Sequence, residues 1–203
     1  MKIYLLLFFL LSLPADWTSV EIEKAKANTR NSKMSSEERD VLFYINLVRI
    51  NPSKFEKEVL NPFLNENKNY SKKYVKSLRK DLNKIKTLSP LNYSDKLYKF
   101  AKHHAKTTGA KGKVGHNSVG LRGYKARTKK ILKHFVSVGE NIHYGFTDPK
   151  KVVIELLIDD GIIDVGHRKN ILNNHYIFAS VSIEPHKKYK YNTVIEFGGA
   201  TFQ

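Results

Sequence analysis

Cysteine is absent from all 203 residues of the sequence. A disulfide framework, a zinc site built on thiolates and a cysteine nucleophile are therefore excluded, and a metal ion would have to bind histidine, aspartate or glutamate. Acidic residues are also scarce, 19 against 36 lysines and arginines, which gives a formal net charge of +17. No apolar run in the sequence reaches the ~20 residues that a helix needs to cross a bilayer.

The remaining composition is that of a globular protein. Apolar residues make up 41% of the chain, aromatic residues 11% and charged residues 27%, whereas intrinsic disorder requires far fewer large apolar side chains. We expect one domain, because two domains in a chain of this length would each approach the lower size at which a hydrophobic core sustains itself.

The N-terminus has the layout of a cleavable secretory signal. Lys2 precedes an apolar run from Ile3 to Leu13, and this run has no polar face that a buried first helix of the fold could turn to water. The protein is therefore predicted to be secreted, to the extracellular space or the periplasm. The predicted organisation is a signal peptide at residues 1–15, a flexible leader at 16–34 and one folded domain at 35–203.

Positive charge is concentrated in two stretches. Ser71–Lys86 carries seven lysines and arginines against Asp81 alone, and Leu121–Lys133 carries six cations and no acid. A solvated helix face explains such a pattern, and an alternative is attraction to anionic cell-envelope polymers or lipid headgroups. No RNA-binding or helix-turn-helix motif is present, so no specific nucleic-acid partner is expected.

Apolar spacing and capping residues predict several helices. Ser35 and Glu38 form a capping box at the start of the first, which must end near Asn51 because Pro52 follows. Ser94 is the N-cap candidate for a later helix, and Pro149 in the first turn marks another helix that opens at Thr147. The predicted helical segments are 35–51, 53–64, 70–88, 94–109 and 147–161.

The C-terminal part of the chain is rich in β-formers. Phe178–Glu184 and Thr193–Phe202 are separated by a polar turn and predict an antiparallel hairpin, and Phe135–Ile142 predicts a third strand. Helices come first and strands last, without regular βαβ alternation. This order indicates an α+β layered domain.

Familiar catalytic motifs are missing, including the metalloprotease, nucleophile-elbow and phosphate-loop patterns. Instead, polar residues stand beside glycines in four segments, each of which alone is explained by turn chemistry. Ser118 and Ser137 are interpreted as turn or strand hydroxyls rather than nucleophiles. The four segments are 115–118, 138–142, 159–161 and 166–172.

Taken in order, the sequence resembles the CAP superfamily, also called the SCP domain, which includes cysteine-rich secretory proteins, antigen 5 and pathogenesis-related proteins. The resemblance covers about residues 36–203. It rests on Tyr44–Pro52, on VGENI at 138–142, on GHRKNIL at 166–172 and on the closing Phe197–Phe202 strand. It implies a three-layer α-β-α sandwich with a central antiparallel sheet. It also implies a cleft of two histidines and two acids that ligates a divalent cation such as zinc.

Carried over by position, the resemblance assigns His116, Glu140 and His167 to this cleft as metal ligands. Asp159 is the second acid by its distance from Leu156, which stands where the family usually has tryptophan. The runner-up is Asp160.

The chain departs from the family pattern in three ways near this acid. Leu156 replaces the tryptophan, a short aspartate replaces the glutamate of the animal proteins, and the insertion Gly161–Val165 separates the helix from His167. The remaining candidates for the cleft are Asn117, Asn141, Asp160 and Arg168.

The function that we expect is that of an exported, monomeric, non-catalytic binding module with a solvent-open cleft that holds a divalent cation, preferentially zinc. By the resemblance, its ligand is a lipid, a sterol or an anionic component of the cell envelope. The alternative is a metal-dependent, protease-like hydrolase in which Glu140 is the general base. In a third interpretation, the cleft is vestigial and the cationic surface is the working part.

Overall fold

The computed structural model describes residues 17–117 and 123–202. The predicted signal peptide and Ser118 lie outside these ranges. In the described part, three antiparallel strands form a sheet with helices on both faces, in the order β1-β3-β2. The helices are α1 Ser19–Lys26, α2 Ser36–Ile50, α3 Pro52–Phe55, α4 Asn61–Glu66, α5 Lys72–Lys84, α6 Asp95–Lys111, α7 Gly123–Ile131, α8 Pro149–Ile158 and α9 Gly166–Ile171, with a π-helical turn Glu56–Leu60 between α3 and α4. The strands are β1 Val138–Tyr144, β2 Phe178–His186 and β3 Lys190–Gly198.

The sheet matches the predicted hairpin and third strand, with shifted ends. Strands β2 and β3 pair from Phe178 opposite Gly198 to His186 opposite Lys190, so the connecting turn is shorter than the sequence pattern indicated. Strand β1 pairs with β3 along its whole length and begins three residues later than predicted, at Val138. Phe135 forms only an isolated bridge with Thr201.

The predicted α+β class and three-layer arrangement are confirmed. Helix α6 packs on β2 and β3, while α2 contacts β2 and α8, and α8 contacts β1. The core between the sheet and α2 contains the fully buried Val41, Leu42, Ile45, Val181 and Ile195. Burial of these side chains is the main stabilising contribution of this layer.

Helix ends lie near the predicted starts and stops. Ser35 caps α2 through a reciprocal capping box with Glu38, and α2 ends at Ile50, before the Asn51-Pro52 pair. Ser94 caps α6, and Asp148 caps α8 by accepting the Lys151 N–H. Within the described ranges, no helix is both long enough and apolar enough to traverse a lipid bilayer.

The prediction of a flexible leader at residues 16–34 missed a helix. Thr18 and Glu21 form a capping box that starts α1, and α1 packs against α2. Trp17, Ala25 and Met34 are buried in the same core cluster as α2. The sequence shows no apolar period here because single anchoring residues at both ends of the segment, rather than a stripe, hold it in place.

Glu21 also ties α1 to the start of α3, and its replacement by glutamine is expected to destabilise the fold. Glu21 accepts hydrogen bonds from Lys54 Nζ at 2.8 Å and Asn51 Nδ2 at 3.0 Å. The bond from Lys54 is the largest cause that lowers the Glu21 pKa from 4.5 to about 2. We expect Glu21→Gln to lower the free energy of unfolding by about 1 kcal/mol at neutral pH, since the pair is partly solvated.

The pH dependence of this effect has a defined sign. A carboxyl whose pKa is depressed in the folded state contributes stability above its unfolded pKa, near 4.5, and loses it as the pH falls towards 2. Urea denaturation of the parent and Glu21→Gln at several pH values should therefore give curves that converge in acid. Glu23→Gln, which removes only an exposed pair with Lys26, is the matched control. A constant difference at all pH values would contradict the assignment.

Candidate functional site

A cleft of about 420 Å³ opens beside the N-terminal end of strand β1, and both predicted histidines line it. His116 comes from the loop after α6, and His167 from the first turn of α9. Glu140, in the middle of β1, forms part of the wall. Other lining residues include Tyr124, Ile162, Asp164, Asn170 and Tyr176. The structure therefore brings the two imidazoles together in one hollow.

His116 is paired with the carboxylate of Glu140. The distance from His116 Nδ1 to Glu140 Oε1 is 2.6 Å. The His116 side chain is 48% exposed, whereas the Glu140 side chain is fully buried. Donation from Nδ1–H to the carboxylate fixes the tautomer in which Nε2 carries the lone pair.

A buried charged cluster stands behind this pair. The Arg127 guanidinium donates to Glu140 Oε2, and its Nε donates to Glu196 Oε1 at 3.0 Å. Glu196 lies directly opposite Glu140 on β3. Arg127 Nη1 also lies 2.9 Å from His104 Nδ1 and donates to the His116 carbonyl oxygen.

Burial shifts the pKa values of the ionisable side chains in this cluster. Desolvation raises the pKa of Glu140 above its usual range, and Arg127 opposes that rise. Desolvation and the neighbouring Glu140 raise the pKa of Glu196 well above its usual range. Burial, with Arg127 next in importance, lowers the pKa of His104 to about 3, so His104 is neutral. Burial and then Arg127 also lower the pKa of His116.

The loop that carries His116 is fastened mainly through its backbone. The Gly115 N–H donates to Tyr144 Oη at 2.8 Å, and His104 Nε2 lies 3.1 Å from the Gly115 oxygen. His186 Nε2 lies 2.9 Å from the Lys113 oxygen and ties the same loop to the β2–β3 hairpin. These contacts fix the backbone position from which the His116 side chain extends.

His167 is paired with the carboxylate of Asp159. His167 Nδ1 lies 2.7 Å from Asp159 Oδ1, and the His167 backbone N–H donates to Asp159 Oδ2 at 2.9 Å. Asp159 is the C-cap of α8 in the left-handed conformation, with φ 57°, and it is buried. The carboxylate thus serves the start of α9 as well as the imidazole, which explains why an acid is tolerated at a helix C-terminus.

Asp160 is placed away from the cleft. Its side chain is exposed, and Oδ2 accepts the Ser71 N–H at 2.8 Å. Of the two neighbouring acids, Asp159 is therefore the one beside His167. The insertion Gly161–Val165 forms a tight turn in which Ile162 lines the cleft mouth and Ile163 is 95% exposed.

Two further candidates, Asn141 and Asn117, bond to residues of the site but do not line the cleft. Asn141 is buried, donates through Nδ2 to the His167 carbonyl oxygen at 2.9 Å and accepts from Asn170. Asn117 is exposed and accepts the Tyr124 N–H through Oδ1 at 3.1 Å. Both predictions placed polar residues near the right histidine, but sequence adjacency does not determine which side of the backbone faces the cleft.

The prediction of Arg168 as a cleft residue is wrong. Arg168 is buried, 1% exposed, and its five N–H donors are directed into the protein. They reach the carbonyl oxygens of Leu157, Ile158 and Tyr74 and the side chains of Ser77 and Asp81. Arg168 therefore joins α5, α8 and α9, because its side chain leaves α9 about 100° round the helix axis from that of His167.

Sequence analysis missed Arg127, Glu196 and His104 as members of the site. Arg127 was counted within the basic stretch 121–133, although it is fully buried. The sequence did contain one signal, since Glu196 interrupts the apolar run at the end of β3, between Ile195 and Phe197. An acid within an apolar strand requires a buried partner.

The donor set of the cleft offers two imidazole nitrogens to a metal ion. Among residues 17–117 and 123–202, no three histidine or acidic side chains are grouped so that they could hold a metal ion together. Both Glu140 oxygens and Asp159 Oδ1 already face partners. The acids thus act as orienting acceptors behind the histidines, an arrangement that suits metal-binding imidazoles.

The fold and this cleft define a three-layer α-β-α domain with two histidine–acid pairs. The profile of the cysteine-rich secretory protein family, CAP, matches residues 42–197. The chain belongs to this family, and the resemblance noted from the sequence is confirmed. A search among curated proteins finds no match.

Solved bacterial structures are similar to the chain at low identity. An extracellular SCP-domain protein from Bacillus anthracis strain Ames is 23% identical with a TM-score of 0.47, and the match covers 61% of this chain and 37% of that one. An outer surface protein from Borrelia burgdorferi is 23% identical with a TM-score of 0.46, at 62% and 88% coverage. The CAP domain of enterococcal PrgA is 16% identical with a TM-score of 0.37, at 93% and 84% coverage. The chain thus spans 37% of the length of the Bacillus protein.

Proposed function

We propose that this protein is an exported CAP-domain binding module whose cleft holds a divalent cation, preferentially Zn²⁺, through His116 and His167. The observation that carries the proposal is the pairing of each Nδ1 with a carboxylate in one shared cleft. In both histidines this pairing leaves Nε2 as the lone-pair nitrogen. Carboxylate–histidine pairs of this kind orient metal ligands and raise their basicity.

The donor chemistry favours an open site over a structural one. Structural zinc sites close with four protein ligands, whereas two imidazoles leave positions for water or a ligand. A bound cation would supply a positive centre that attracts an anionic or carbonyl group. The chain itself supplies the orientation of the rings through Glu140 and Asp159 and an aromatic wall through Tyr124 and Tyr176.

The position of the proposed general base argues against the hydrolase alternative, although burial raises the pKa of Glu140. Glu140 was its proposed general base, but the side chain is fully buried and each oxygen has a partner, His116 or Arg127. A general base must reach the proton that it removes. Binding is therefore the function that this geometry supports better.

Zinc titration of the purified protein by calorimetry tests the proposal. We expect His116→Ala and His167→Ala each to weaken zinc binding at least tenfold, because each removes one of the two ligands. His103→Ala is the matched control, since His103 is an exposed histidine on α6. Equal affinity in the parent and all three variants would overturn the site.

The orienting role of Asp159 predicts a second difference between neighbouring residues. Asp159→Asn is expected to weaken zinc binding about 10- to 100-fold, as for other acids that orient a metal-ligating histidine. Asp160→Asn removes the same charge one residue away and should leave the affinity unchanged, because the exposed Asp160 carboxylate accepts the Ser71 N–H away from the cleft. Equal weakening in the two variants would show a general charge effect and contradict the role of Asp159.

Export, ligand class and oligomeric state complete the proposal. Export rests on the signal-like pattern at residues 1–15. A lipid, a sterol or an anionic component of the cell envelope is the ligand class implied by the family, and a monomer is the expected state. Cleavage during secretion is checked by N-terminal sequencing of the exported protein.

A further inference from the structure

Helix α5 presents a row of lysines on its solvent side. Lys73, Lys76, Lys80 and Lys84 are all exposed, while Leu78 and Leu82 on the opposite side are fully buried. At 3.6 residues per turn, the four lysines fall within about 80° of one another and span about 16 Å along the helix. Their spacing is shorter than the Debye length of ~10 Å at 0.1 M salt, so they act on a partner together.

Nearby acids do not neutralise this row. In the described part of the chain, none of its four lysines forms an ion pair. Asp81, the one acid in α5, is bound to the buried Arg168 at 2.8 Å. Glu56, on the neighbouring helical segment, is bound to Arg79 at 2.6 Å. The positive charge of the row is therefore exposed to solvent and can attract an anionic partner.

Helix α6 provides a contrast within the same protein. It also exposes lysines, but acids lie among them: Lys99 acts on Asp95, and Lys102 and Lys106 act on Glu184. A general excess of lysine thus accounts for α6, whose lysines lie close to Asp95 at its own start and to Glu184 on β2. It does not account for the row on α5, where Asp81, the acid of that helix, is bound to Arg168 instead of to a lysine of the row.

The surroundings of the row distinguish between anionic partners. Among the described residues, no exposed large hydrophobic side chain lies between positions 67 and 90. Helices that insert into a membrane interface place apolar residues beside their cations, and single-stranded nucleic acid is bound on exposed aromatic rings. Within positions 67–90 neither feature is present, which favours a partner that is recognised by repeated charge. The exposed Ile162 and Ile163 lie outside that range, in the turn after Asp160, which accepts the Ser71 N–H at the start of α5.

The row continues into a groove between α5 and α9. Lys84 and Lys169 both line this groove of about 330 Å³, together with the apolar Ile85 and Leu172 and with Asp81, whose carboxylate is bound to Arg168. Lys169 is exposed and precedes Asn170 on α9. The track for an extended anion is therefore longer than α5 itself.

We propose that Lys73, Lys76, Lys80 and Lys84 form a docking surface for a linear polymer of phosphate groups. A chain with a charge on every repeat engages several lysines at once, whereas a single phosphate engages one or two, and the gain comes from effective concentration. Lysine suits this role, because it binds phosphate as a point charge without demanding a fixed geometry. The surface is independent of the histidine cleft, and failure of one assignment leaves the other in place.

Binding to long-chain inorganic polyphosphate tests the proposal. The variant Lys73→Gln/Lys76→Gln/Lys80→Gln is compared with Lys99→Gln/Lys106→Gln/Lys111→Gln, which removes the same charge from α6. At about 0.1 M salt we expect the α5 variant to bind on the order of 100-fold more weakly, with a log–log salt slope smaller by about 2, from counterion release at three sites. The α6 variant should stay close to the parent, and orthophosphate should compete poorly.

The other outcomes are decisive as well. Equal weakening in both triple variants would reduce the effect to net charge and overturn the surface. Binding to vesicles of equal parts phosphatidylglycerol and phosphatidylcholine, or to poly-dT, without binding to polyphosphate would overturn the phosphate-polymer assignment. Far-ultraviolet circular dichroism and the melting temperature of each variant confirm that the exposed substitutions leave the fold intact.

Discussion

Replacement of Arg127 by methionine is expected to lower the free energy of unfolding by about 3–5 kcal/mol. The guanidinium is fully buried and contacts Glu140 and Glu196, whose side chains are also fully buried. Methionine fills much of the same volume but leaves two carboxyl groups in the interior without their cation. Removal of one partner from a buried ion pair costs more than the pair contributed, because the remaining charge is desolvated without compensation. Urea denaturation at neutral pH measures the loss.

Glu196→Gln provides the control for this prediction. In the parent background, Glu196→Gln replaces one of two carboxyl groups that share a single arginine. We therefore expect a small change in the free energy of unfolding. Combined with Arg127→Met, it should recover part of the lost stability, because only Glu140 is then a buried carboxyl without arginine. A double variant whose loss equals or exceeds the sum of the single losses would contradict a charge-balanced cluster.

The layers of the fold could be predicted because their signals are local. Ser35 and Ser94 as N-caps and the Asn51-Pro52 stop are sterically determined, and the structure places helix ends within a few residues of them. The hairpin was identified from two β-rich runs, but its turn was predicted too long. Lys190 adopts φ 67° and closes the turn early, and a lysine gives no indication of that conformation.

Tertiary contacts decided the elements that prediction missed. Helix α1 depends on a few anchors such as Trp17, which only the folded core can stabilise. Arg127 was assigned to a solvated face because five other cations surround it in sequence. Its burial follows from Glu196, almost seventy residues away on another element. No local pattern contains that information.

The site divides in the same way. The motif-bearing residues His116, Glu140 and His167 converge as the resemblance implied, and Asp159 rather than Asp160 pairs with a histidine. The sequence could not show whether an acid binds the metal or orients a histidine that does. In either role the acid belongs to the same kind of histidine-and-acid motif. That distinction depends on which side-chain atom faces which partner. It changes the expected role of Glu140 from metal ligand, or general base in the alternative, to hydrogen-bond acceptor.

Arg168→Met is expected to lower the free energy of unfolding by about 2–4 kcal/mol, although Arg168 is one residue from the proposed metal ligand His167. Its five donors satisfy backbone oxygens at the C-terminal end of α8 and hold α5 through Asp81. Methionine leaves those buried acceptors unpaired, and Asp81, which is 39% exposed, is resolvated at smaller cost.

Lys169→Met, one position along α9, removes the same charge from an exposed side chain, so its stability should stay within the range of ordinary surface substitutions, about 0.5 kcal/mol. Urea denaturation measures the stability of both variants. Only loss of the buried Arg168 leaves hydrogen-bond acceptors without donors, so only Arg168→Met should be strongly destabilised. Equal stabilities of the two variants would contradict the buried structural role of Arg168 and favour its earlier assignment to the solvent-open cleft. A large difference instead makes the α8–α9 junction, and with it the Asp159–His167 pair, dependent on an arginine that never faces the cleft.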